Sequence, residues 1–176
     1  MELDTATKLI QGGISENAGY QVWADLGAGT GLFTVALTNI LSDGSTVYAV
    51  DRDSRSLQKI KIQHKGITLK KISADFSDAN FEIEPLDGIL MINSLHFIRD
   101  KDPLFRQLKS RLKPSGRMVV VEYNTDIPNP WVPYPISLER LERLTEPYFG
   151  SIAKMMEIPS SYGRATIYSA RLLPVE

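Results

Sequence analysis

The stretch from Val22 to Thr34 constrains the fold of this chain most, because it joins a short apolar run, three alternating glycines and the start of a helical pattern. The apolar run over residues 21–26 is typical of a strand that is buried on both faces of a parallel sheet. The glycines at positions 27, 29 and 31 allow a tight turn, since no Cβ atom obstructs the backbone. A strand, a glycine turn and a helix start together leave backbone N–H groups open to a ligand. This stretch therefore predicts a site for a nucleotide-type cofactor.

The spacing of the glycines separates two classes of cofactor. A dinucleotide fingerprint, Gly-x-Gly-x-x-Gly, requires a glycine at position 32, where this chain has Leu32. The pattern present is acid-x-Gly-x-Gly-x-Gly, and it begins with Asp25. A carboxylate beside the turn would repel a pyrophosphate, whereas it suits a cationic ligand. The alternative is an ordinary glycine turn of an α/β protein.

This pattern resembles the first motif of the class I S-adenosylmethionine-dependent methyltransferases. S-adenosylmethionine carries an ammonium and a sulfonium and no phosphate, so an acidic rim is electrostatically reasonable. The resemblance extends over residues 21–171, nearly the whole chain. It implies that S-adenosylmethionine is the cofactor and S-adenosylhomocysteine the product, with binding residues in the first motif at Asp25, Gly27, Ala28, Gly29 and Gly31.

A second acidic residue ends the next predicted strand. Asp51 lies about 20 residues beyond Gly31, the distance at which a βαβ unit returns a carboxylate to the ribose of an adenosine. The resemblance assigns Asp51 to the ribose hydroxyls, with Arg52 beside it in the cofactor site. The alternative is that Asp51 belongs to the cap of the next helix, which is predicted over residues 53–63.

The third predicted strand, over residues 67–72, runs into Asp75 and Phe76. These two residues resemble the third motif of the family, in which the acidic residue accepts from the adenine amino group. Phe76 could stack on the adenine or form a wall beside it. The alternative for Asp75 is a cap of the following turn.

The fourth predicted strand, wholly apolar over residues 89–92, opens onto a polar loop with Asn93 and His96. Ligands of open α/β sheets lie outside the carboxyl ends of the strands, so Asn93 is predicted to contact the cofactor. His96 is the first candidate for a general base, since histidine titrates near neutral pH; the alternative is a packed loop residue. No Pro-Pro-Tyr or Pro-Pro-Phe follows Asn93, which disfavours methylation of amino groups of bases or of glutamine.

A helix predicted over residues 101–113 ends at Pro114-Ser115-Gly116, and the fifth strand is predicted over residues 117–122. This segment resembles the Leu-x-Pro-Gly-Gly element of the family, with Ser115 replacing the first glycine. Glu122 and Tyr123 end the strand at the same crevice, and they are further candidate bases. A base is needed only if the methyl acceptor must lose a proton.

Residues 124–135 contain four prolines and predict a stiff loop, called the proline loop below. Its Trp131 and Tyr134 offer an aromatic wall for the acceptor. Together with Glu122 and Tyr123, this loop resembles the branch related to quinone-biosynthesis methyltransferases. A small, partly apolar acceptor is therefore expected.

The elements together predict an α/β fold with a doubly wound, Rossmann-like sheet of seven strands, mostly parallel. The last two strands, over residues 150–158 and 165–173, are close enough in sequence to form an antiparallel hairpin through residues 159–163. The resemblance implies the strand order 3-2-1-4-5-7-6. Residues 1–176 are expected to form one methyltransferase domain, in which residues 1–20 provide a helix and a lead-in. That helix either closes over the cofactor or covers the sheet.

Composition excludes several other classes. The net charge of −1, with no basic block, argues against nucleic acid as a partner. The absence of cysteine excludes disulfides, thiolate nucleophiles and cysteine-bound metals, and no metal site is predicted. No apolar run reaches membrane-spanning length and the N-terminus lacks a signal pattern, so we expect a cytoplasmic monomer or homodimer without membrane insertion.

The sequence thus predicts a methyltransferase that acts on a small molecule. A non-catalytic S-adenosylmethionine-binding subunit that needs a partner is one alternative. A nicotinamide-dependent oxidoreductase is the other, and Leu32 and Asp25 disfavour it.

Overall fold

Seven strands form a single sheet in the structure, a computed structural model that describes residues 1–15, 19–78, 81–160 and 165–174. The strands are β1 (Val22–Leu26), β2 (Thr46–Asp51), β3 (Thr68–Ser73), β4 (Leu86–Ile92), β5 (Leu112–Tyr123), β6 (Phe149–Pro159) and β7 (Thr166–Pro174). The helices are α1 (Leu3–Gln11), α2 (Leu32–Thr38), α3 (Ser54–Lys59), α4 (Asp102–Arg111) and α5 (Leu138–Thr145), with a 3-10 turn at Leu95–Phe97.

The strand order is β3-β2-β1-β4-β5-β7-β6, as predicted. Strands β1 to β5 pair in parallel, while β7 pairs antiparallel with both β5 and β6. The predicted fold class is therefore confirmed. Parallel strands bring their carboxyl ends to one edge of the sheet, and this edge carries the candidate site. Of the predicted link between the last two strands, residues 161–163 lie outside the described ranges.

Each face of the sheet carries its own helical layer. All five residues of β1 are buried, and they alternate between the two layers. Ala24 belongs to the cluster that contains Phe105 of α4, whereas Trp23 belongs to the cluster that contains Leu37 of α2. A Cβ atom at Gly88, opposite Trp23 in β4, would lie only 2.3 Å from the indole ring, so glycine is required there. Residues that alternate in this way explain why every residue of β1 is buried and why all of them except Asp25 are apolar.

Helix α1 covers the sheet, which is the second of the two roles considered for it. Leu9 and Ile10 are fully buried, and the Ser169 hydroxyl donates a hydrogen bond to the carbonyl of Leu9. A Cβ atom at Gly13 would lie 2.3 Å from the side chain of Val119, so the chain passes close against β5 after the helix. These contacts fix α1 on the side of α2 as part of the core.

Two predicted helices end earlier than the sequence suggests. Helix α3 stops at Lys59 and not at residue 63, because Ile60 adopts an extended backbone and packs its side chain beside Gly31. Helix α4 stops at Arg111, and β5 begins directly at Leu112. The prediction that Pro114-Ser115-Gly116 ends a helix is therefore wrong, since this segment lies within β5. Among the described residues, no helix combines the length and the apolar character that crossing a membrane requires.

Candidate cofactor and active site

The three glycines after β1 all adopt the left-handed backbone conformation that favours glycine. Their φ angles are 84° at Gly27, 52° at Gly29 and 90° at Gly31. The N–H groups of Gly27 and Ala28 both donate to the carbonyl of Val50, at 2.8 and 3.0 Å. The glycine turn is therefore tied to the end of β2, and its conformation explains the alternate spacing of the glycines.

The surroundings of the three glycines differ. A Cβ atom at Gly27 would lie 2.5 Å from Cβ of Ser94, and one at Gly31 would lie 2.7 Å from the side chain of Ile60. At Gly29, by contrast, none of the described residues would come within 4 Å of an added Cβ. The turn is packed against protein on two sides and is open at Gly29, where a ligand can approach the backbone.

Asp51 connects the glycine turn to helix α3. One carboxylate oxygen accepts from the N–H of Gly29 and the other from the N–H of Asp53, both at 2.8 Å. Asp53 in turn caps α3 by accepting from the N–H of Arg55 at 3.0 Å. A carboxylate offers about four lone-pair sites, so both oxygens of Asp51 can accept further hydrogen bonds. The capping role and a role toward a ribose are therefore compatible.

Asp25 is buried inside the protein and does not form an acidic rim. Only 2% of it is exposed, and the Thr34 hydroxyl donates to its carboxylate at 2.6 Å. Burial raises the pKa of Asp25 to about 6; the hydrogen bond from Thr34 opposes this shift and the charge of Asp51 adds to it. Asp25 is thus partly protonated just below neutral pH. Its role in cofactor binding stays a prediction.

A cleft of about 380 Å³ lies beside the glycine turn, at the carboxyl ends of β1 to β4. Six predicted cofactor residues line it, namely Gly27, Asp51, Arg52, Asp75, Phe76 and Asn93. Five further residues line it that the sequence analysis missed, namely Ala74, Ser77, Ser94, Phe97 and Ile98. The structure thus brings residues from four separate strand ends to one cleft.

At the β3 end of this cleft, Asp75 caps its own turn. Its carboxylate accepts from the hydroxyl and the N–H of Ser77, at 2.6 and 2.9 Å. These hydrogen bonds hold the pKa of Asp75 below its usual value. Asp75 therefore makes the cap considered as its alternative role, and it also lines the cleft beside Phe76.

At the β4 end, Asn93 carries an unsatisfied polar atom. Its backbone has a φ of 50°, uncommon for a residue with a side chain, and its N–H donates to the carbonyl of Val121 at 2.8 Å. The side-chain oxygen is buried and finds no hydrogen-bond partner within the described ranges. A buried acceptor without a donor costs about 1–3 kcal/mol, which a bound cation or N–H group would recover. The ammonium of S-adenosylmethionine fits this requirement.

His96 and Glu122 form a buried pair next to the cleft. Nδ1 of His96 lies 2.7 Å from one oxygen of Glu122, and the N–H of His96 donates to the other at 3.1 Å. The two side chains are 4% and 1% exposed. The ring of Tyr123 lies 6.1 Å from the His96 ring, between centroids. Two of the three candidate bases are therefore in direct contact, which their separation in sequence does not indicate.

The proline loop is fastened to the 3-10 turn through main-chain atoms. The N–H of Tyr134 donates to the carbonyl of His96 at 3.0 Å. The Lys101 ammonium donates to the carbonyls of Ile98 and Tyr134, at 2.6 and 2.8 Å. Burial lowers the pKa of Lys101 to about 8. Trp131 is 83% exposed and Tyr134 is 40% exposed; neither lines the cleft, so their role as an acceptor wall stays a prediction.

The fold and the glycine turn define a Rossmann-like protein with a cofactor cleft at the carboxyl edge of its sheet. A family model described as a methyltransferase domain matches residues 24–120, more than half of the chain. The chain therefore belongs to this family, the class I S-adenosylmethionine-dependent methyltransferases. The predicted family and cofactor are confirmed, and neither alternative is favoured.

Curated relatives of the chain are named ubiquinone/menaquinone biosynthesis C-methyltransferase UbiE. The protein from Vibrio parahaemolyticus is 27% identical over 151 residues, which cover 83% of this chain and 54% of the relative. The protein from Vibrio campbellii is 30% identical over 110 residues, which cover 60% of this chain and 42% of the relative. The chain thus spans about half the length of the curated relatives that it matches.

Solved structures show the same fold at low sequence identity. YcgJ from Bacillus subtilis has a TM-score of 0.73 at 11% identity, covering 98% of this chain and 99% of its own. The N-methyltransferase NodS from Bradyrhizobium japonicum, in complex with S-adenosyl-L-homocysteine, has a TM-score of 0.72 at 17% identity. The match covers 98% of this chain and 87% of NodS. At these identities the likeness concerns the fold alone.

Proposed function

We propose that this protein transfers the methyl group of S-adenosylmethionine to a small, partly apolar acceptor. The observation that carries the proposal is the cleft at the carboxyl ends of β1 to β4, with the unpartnered oxygen of Asn93 beside the glycine turn. The cofactor supplies a methyl group that its positive sulfur activates. The chain's own residues bind and orient the reactants, and positioning alone contributes roughly 7–11 kcal/mol in favourable cases.

The order of the strands suggests how the cofactor lies in the cleft. Asp75 and Phe76 at the end of β3 would hold the adenine, and Asp51 at the end of β2 the ribose. Arg52 would lie beside the ribose. The open backbone at Gly29 and the oxygen of Asn93 would hold the amino-acid portion, at the ends of β1 and β4. Asp25 would support this end from behind, through its charge.

His96 would act as the general base when the acceptor must lose a proton. Glu122 lies 2.7 Å from Nδ1 of His96 and can hold the proton on that nitrogen, which leaves Nε2 to accept one. The charge of Glu122 would then stabilise the protonated imidazole. Tyr123 is the third candidate, because it ends the same strand.

Trp131 and Tyr134 would form the acceptor wall. The main-chain hydrogen bond from Tyr134 to His96 supports this proposal, because it attaches the proline loop to the turn that carries the proposed base. A rigid loop loses little conformational entropy when it binds an acceptor. The names of the curated relatives agree with an acceptor of this kind. We further propose a cytoplasmic monomer or homodimer that uses no nucleic acid, in keeping with the net charge of −1.

Ligand-dependent melting tests the proposal. A ligand that binds only the folded protein, at 100 times its Kd, stabilises it by about 2.7 kcal/mol. S-adenosylmethionine and S-adenosylhomocysteine should therefore raise Tm, whereas NAD should not. Turnover with a panel of phenols and quinols then tests for catalysis. Stabilisation by NAD alone would contradict the proposal, and cofactor binding without turnover of any acceptor would favour the non-catalytic subunit.

A further inference from the structure

Two phenylalanines line the cleft. The ring of Phe76 lies beside the glycine turn, with one carbon 3.5 Å from the position that a Cβ atom of Gly27 would take. Phe76 follows β3, Phe97 follows β4, and strands β2 and β1 lie between them in the sheet. If the adenine lies at the β3 end, the sulfur of the cofactor lies toward Phe97. This placement of the sulfur rests on the proposed function.

The position of Phe97 is fixed by the 3-10 turn. Its N–H donates to the carbonyl of Ser94 at 3.3 Å, and the Ser94 hydroxyl donates to the carbonyl of Leu26 at 2.8 Å. The Phe97 ring lies 4.3 Å from the ring of His96, between centroids, at a tilt of 50°. Phe97 thus lines the cleft and packs its ring against the ring of His96.

The exposure of Phe97 calls for an explanation in terms of a ligand. The side chain is 54% exposed although it belongs to the wall of a cleft. The charged residues of this wall, Asp51, Arg52 and Asp75, follow β2 and β3. The residues that follow β4, namely Asn93, Ser94, Phe97 and Ile98, carry no charge. A cation at the β4 end would therefore meet an aromatic face and an amide oxygen, and no carboxylate from the wall of the cleft.

We infer that Phe97 is a specificity-determining residue that recognises the positive sulfur of the cofactor, and so favours S-adenosylmethionine over S-adenosylhomocysteine. The two molecules share the adenosine and the amino-acid group, and they differ in the methyl group and the charge on sulfur. A cation within about 6 Å of a ring centroid is attracted by the negative face of the ring, by about 0.5–2 kcal/mol. A neutral thioether gains no such attraction. The product would thus be held more weakly than the substrate, and its release favoured.

Calorimetric titration of three ligands tests this inference. In Phe97→Leu, the affinity for S-adenosylmethionine should fall by about twofold to thirtyfold, the range that corresponds to the attraction of a cation to a ring. The affinity for S-adenosylhomocysteine should change less than about twofold. An analogue with a protonated amine in place of the sulfonium should follow S-adenosylmethionine. Phe97→Tyr retains an aromatic face, so its ratio of affinities should match that of the unsubstituted protein.

Phe76→Leu is the matched control, because Phe76 lines the same cleft from the turn after β3, where the adenine is proposed to lie. Both ligands contain adenine, so this variant should lose affinity for both by the same factor. Equal losses of both ligands in Phe97→Leu, or no loss, would overturn the inference while leaving the proposed function intact. If the unsubstituted protein bound neither ligand, the proposed function itself would be wrong and the inference would fall with it. An unchanged Tm in Phe97→Leu excludes a folding defect. If Tm falls, the ratio of the two affinities still decides, because partial unfolding weakens the binding of both ligands by the same factor.

Discussion

The proposed cofactor side and the proposed acceptor side of this protein are built in different ways. The cofactor side consists of strand ends that follow one another along the chain, and its main contacts join neighbouring turns, as between Asp51 and Gly29. The acceptor side depends on a contact between two side chains, since Glu122, next to the last residue of β5, pairs with His96 in the turn after β4. It also buries ionisable groups, among them Glu122 and Lys101. Backbone geometry dominates the first side, and contacts of buried side chains dominate the second.

The largest effect is expected on the acceptor side. Replacing His96 with glutamine should lower kcat by roughly 10²–10⁴-fold if His96 is the base, while the Kd of S-adenosylhomocysteine stays within about twofold. Steady-state kinetics and calorimetry on the same preparation measure the two effects. Glu122→Gln keeps an acceptor oxygen but removes the charge, so it should lower kcat by less. Normal turnover in both variants would return the pair to a structural role.

The second prediction addresses the glycine turn. An alanine at Gly27 would place Cβ 2.5 Å from the Ser94 side chain at a φ of 84°, so Gly27→Ala should lose about 3 kcal/mol of stability. Gly29→Ala is the matched control: it has the unusual φ but open space, and should lose only about 1 kcal/mol. Urea unfolding of the two variants measures the difference. Equal losses would show that packing against Ser94 is unimportant.

The third prediction concerns Asp25 and pH. Its pKa of about 6 in the folded protein exceeds the ordinary value of 3.8, so the folded state binds this proton more tightly than the unfolded state. The charged form therefore costs up to about 3 kcal/mol above pH 6, and this cost disappears as the pH falls from 6 toward 4.

Asp25→Asn retains an acceptor for the Thr34 hydroxyl and has no charge to bury. It should be more stable than the unsubstituted protein at pH 8 and equal to it near pH 4, as urea unfolding at both values would measure. If the Asp25 charge attracts the cofactor, the same variant should bind S-adenosylmethionine less tightly at pH 8. If Asp25→Asn were less stable than the unsubstituted protein at pH 8, the raised pKa of Asp25 would be contradicted.

The fourth prediction tests Asp51 on the cofactor side. Hydrogen bonds to charged groups are worth about 1.5–3 kcal/mol, so Asp51→Ala should weaken S-adenosylhomocysteine binding by at least about tenfold. Calorimetry measures the affinity. Asp53→Ala, which removes only the cap of α3, provides the comparison and should bind almost normally. Similar affinities in the two variants would leave Asp51 with a capping role alone.

The smallest effect on stability is expected at the proline loop. Trp131 is 83% exposed, so Trp131→Ala should change the free energy of unfolding by less than about 0.5 kcal/mol. The KM for the acceptor should rise by about tenfold, with the affinity for S-adenosylhomocysteine unchanged. A loss of cofactor affinity with a normal KM for the acceptor would place the loop at the cofactor site.

The sequence predicts the site correctly where one local pattern determines both the backbone conformation and the position of a residue. The glycine spacing predicts the turn after β1, because each of Gly27, Gly29 and Gly31 has a positive φ. The distance from Gly31 to Asp51 reflects the length of a βαβ unit, so the second acidic residue could be placed as well.

Other features could not be predicted, because they depend on contacts between remote segments. The pairing of His96 with Glu122 requires β4 and β5 to be aligned first. The early end of α3 follows from the packing of Ile60 beside Gly31. The position of Phe97 in the cleft has no signal in the sequence, because a three-residue turn is too short to show a periodic pattern. Asp25 looked like a surface charge, although the sheet and Thr34 enclose it.

The attachment of the proline loop has a consequence for how new acceptors could be accommodated. The N–H of Tyr134 joins the loop to the carbonyl of His96 in the 3-10 turn, and the carbonyl of Tyr134 joins it to the Lys101 ammonium. Every residue type except proline provides both of these main-chain groups. The side chains of Ile127 and Trp131 project from this frame with 77% and 83% of their surface exposed. Their identities can therefore change without loosening the attachment or disturbing the reacting groups. If the loop forms the acceptor wall as proposed, substrate preference can change through these exposed side chains while the residues proposed for the chemistry stay the same.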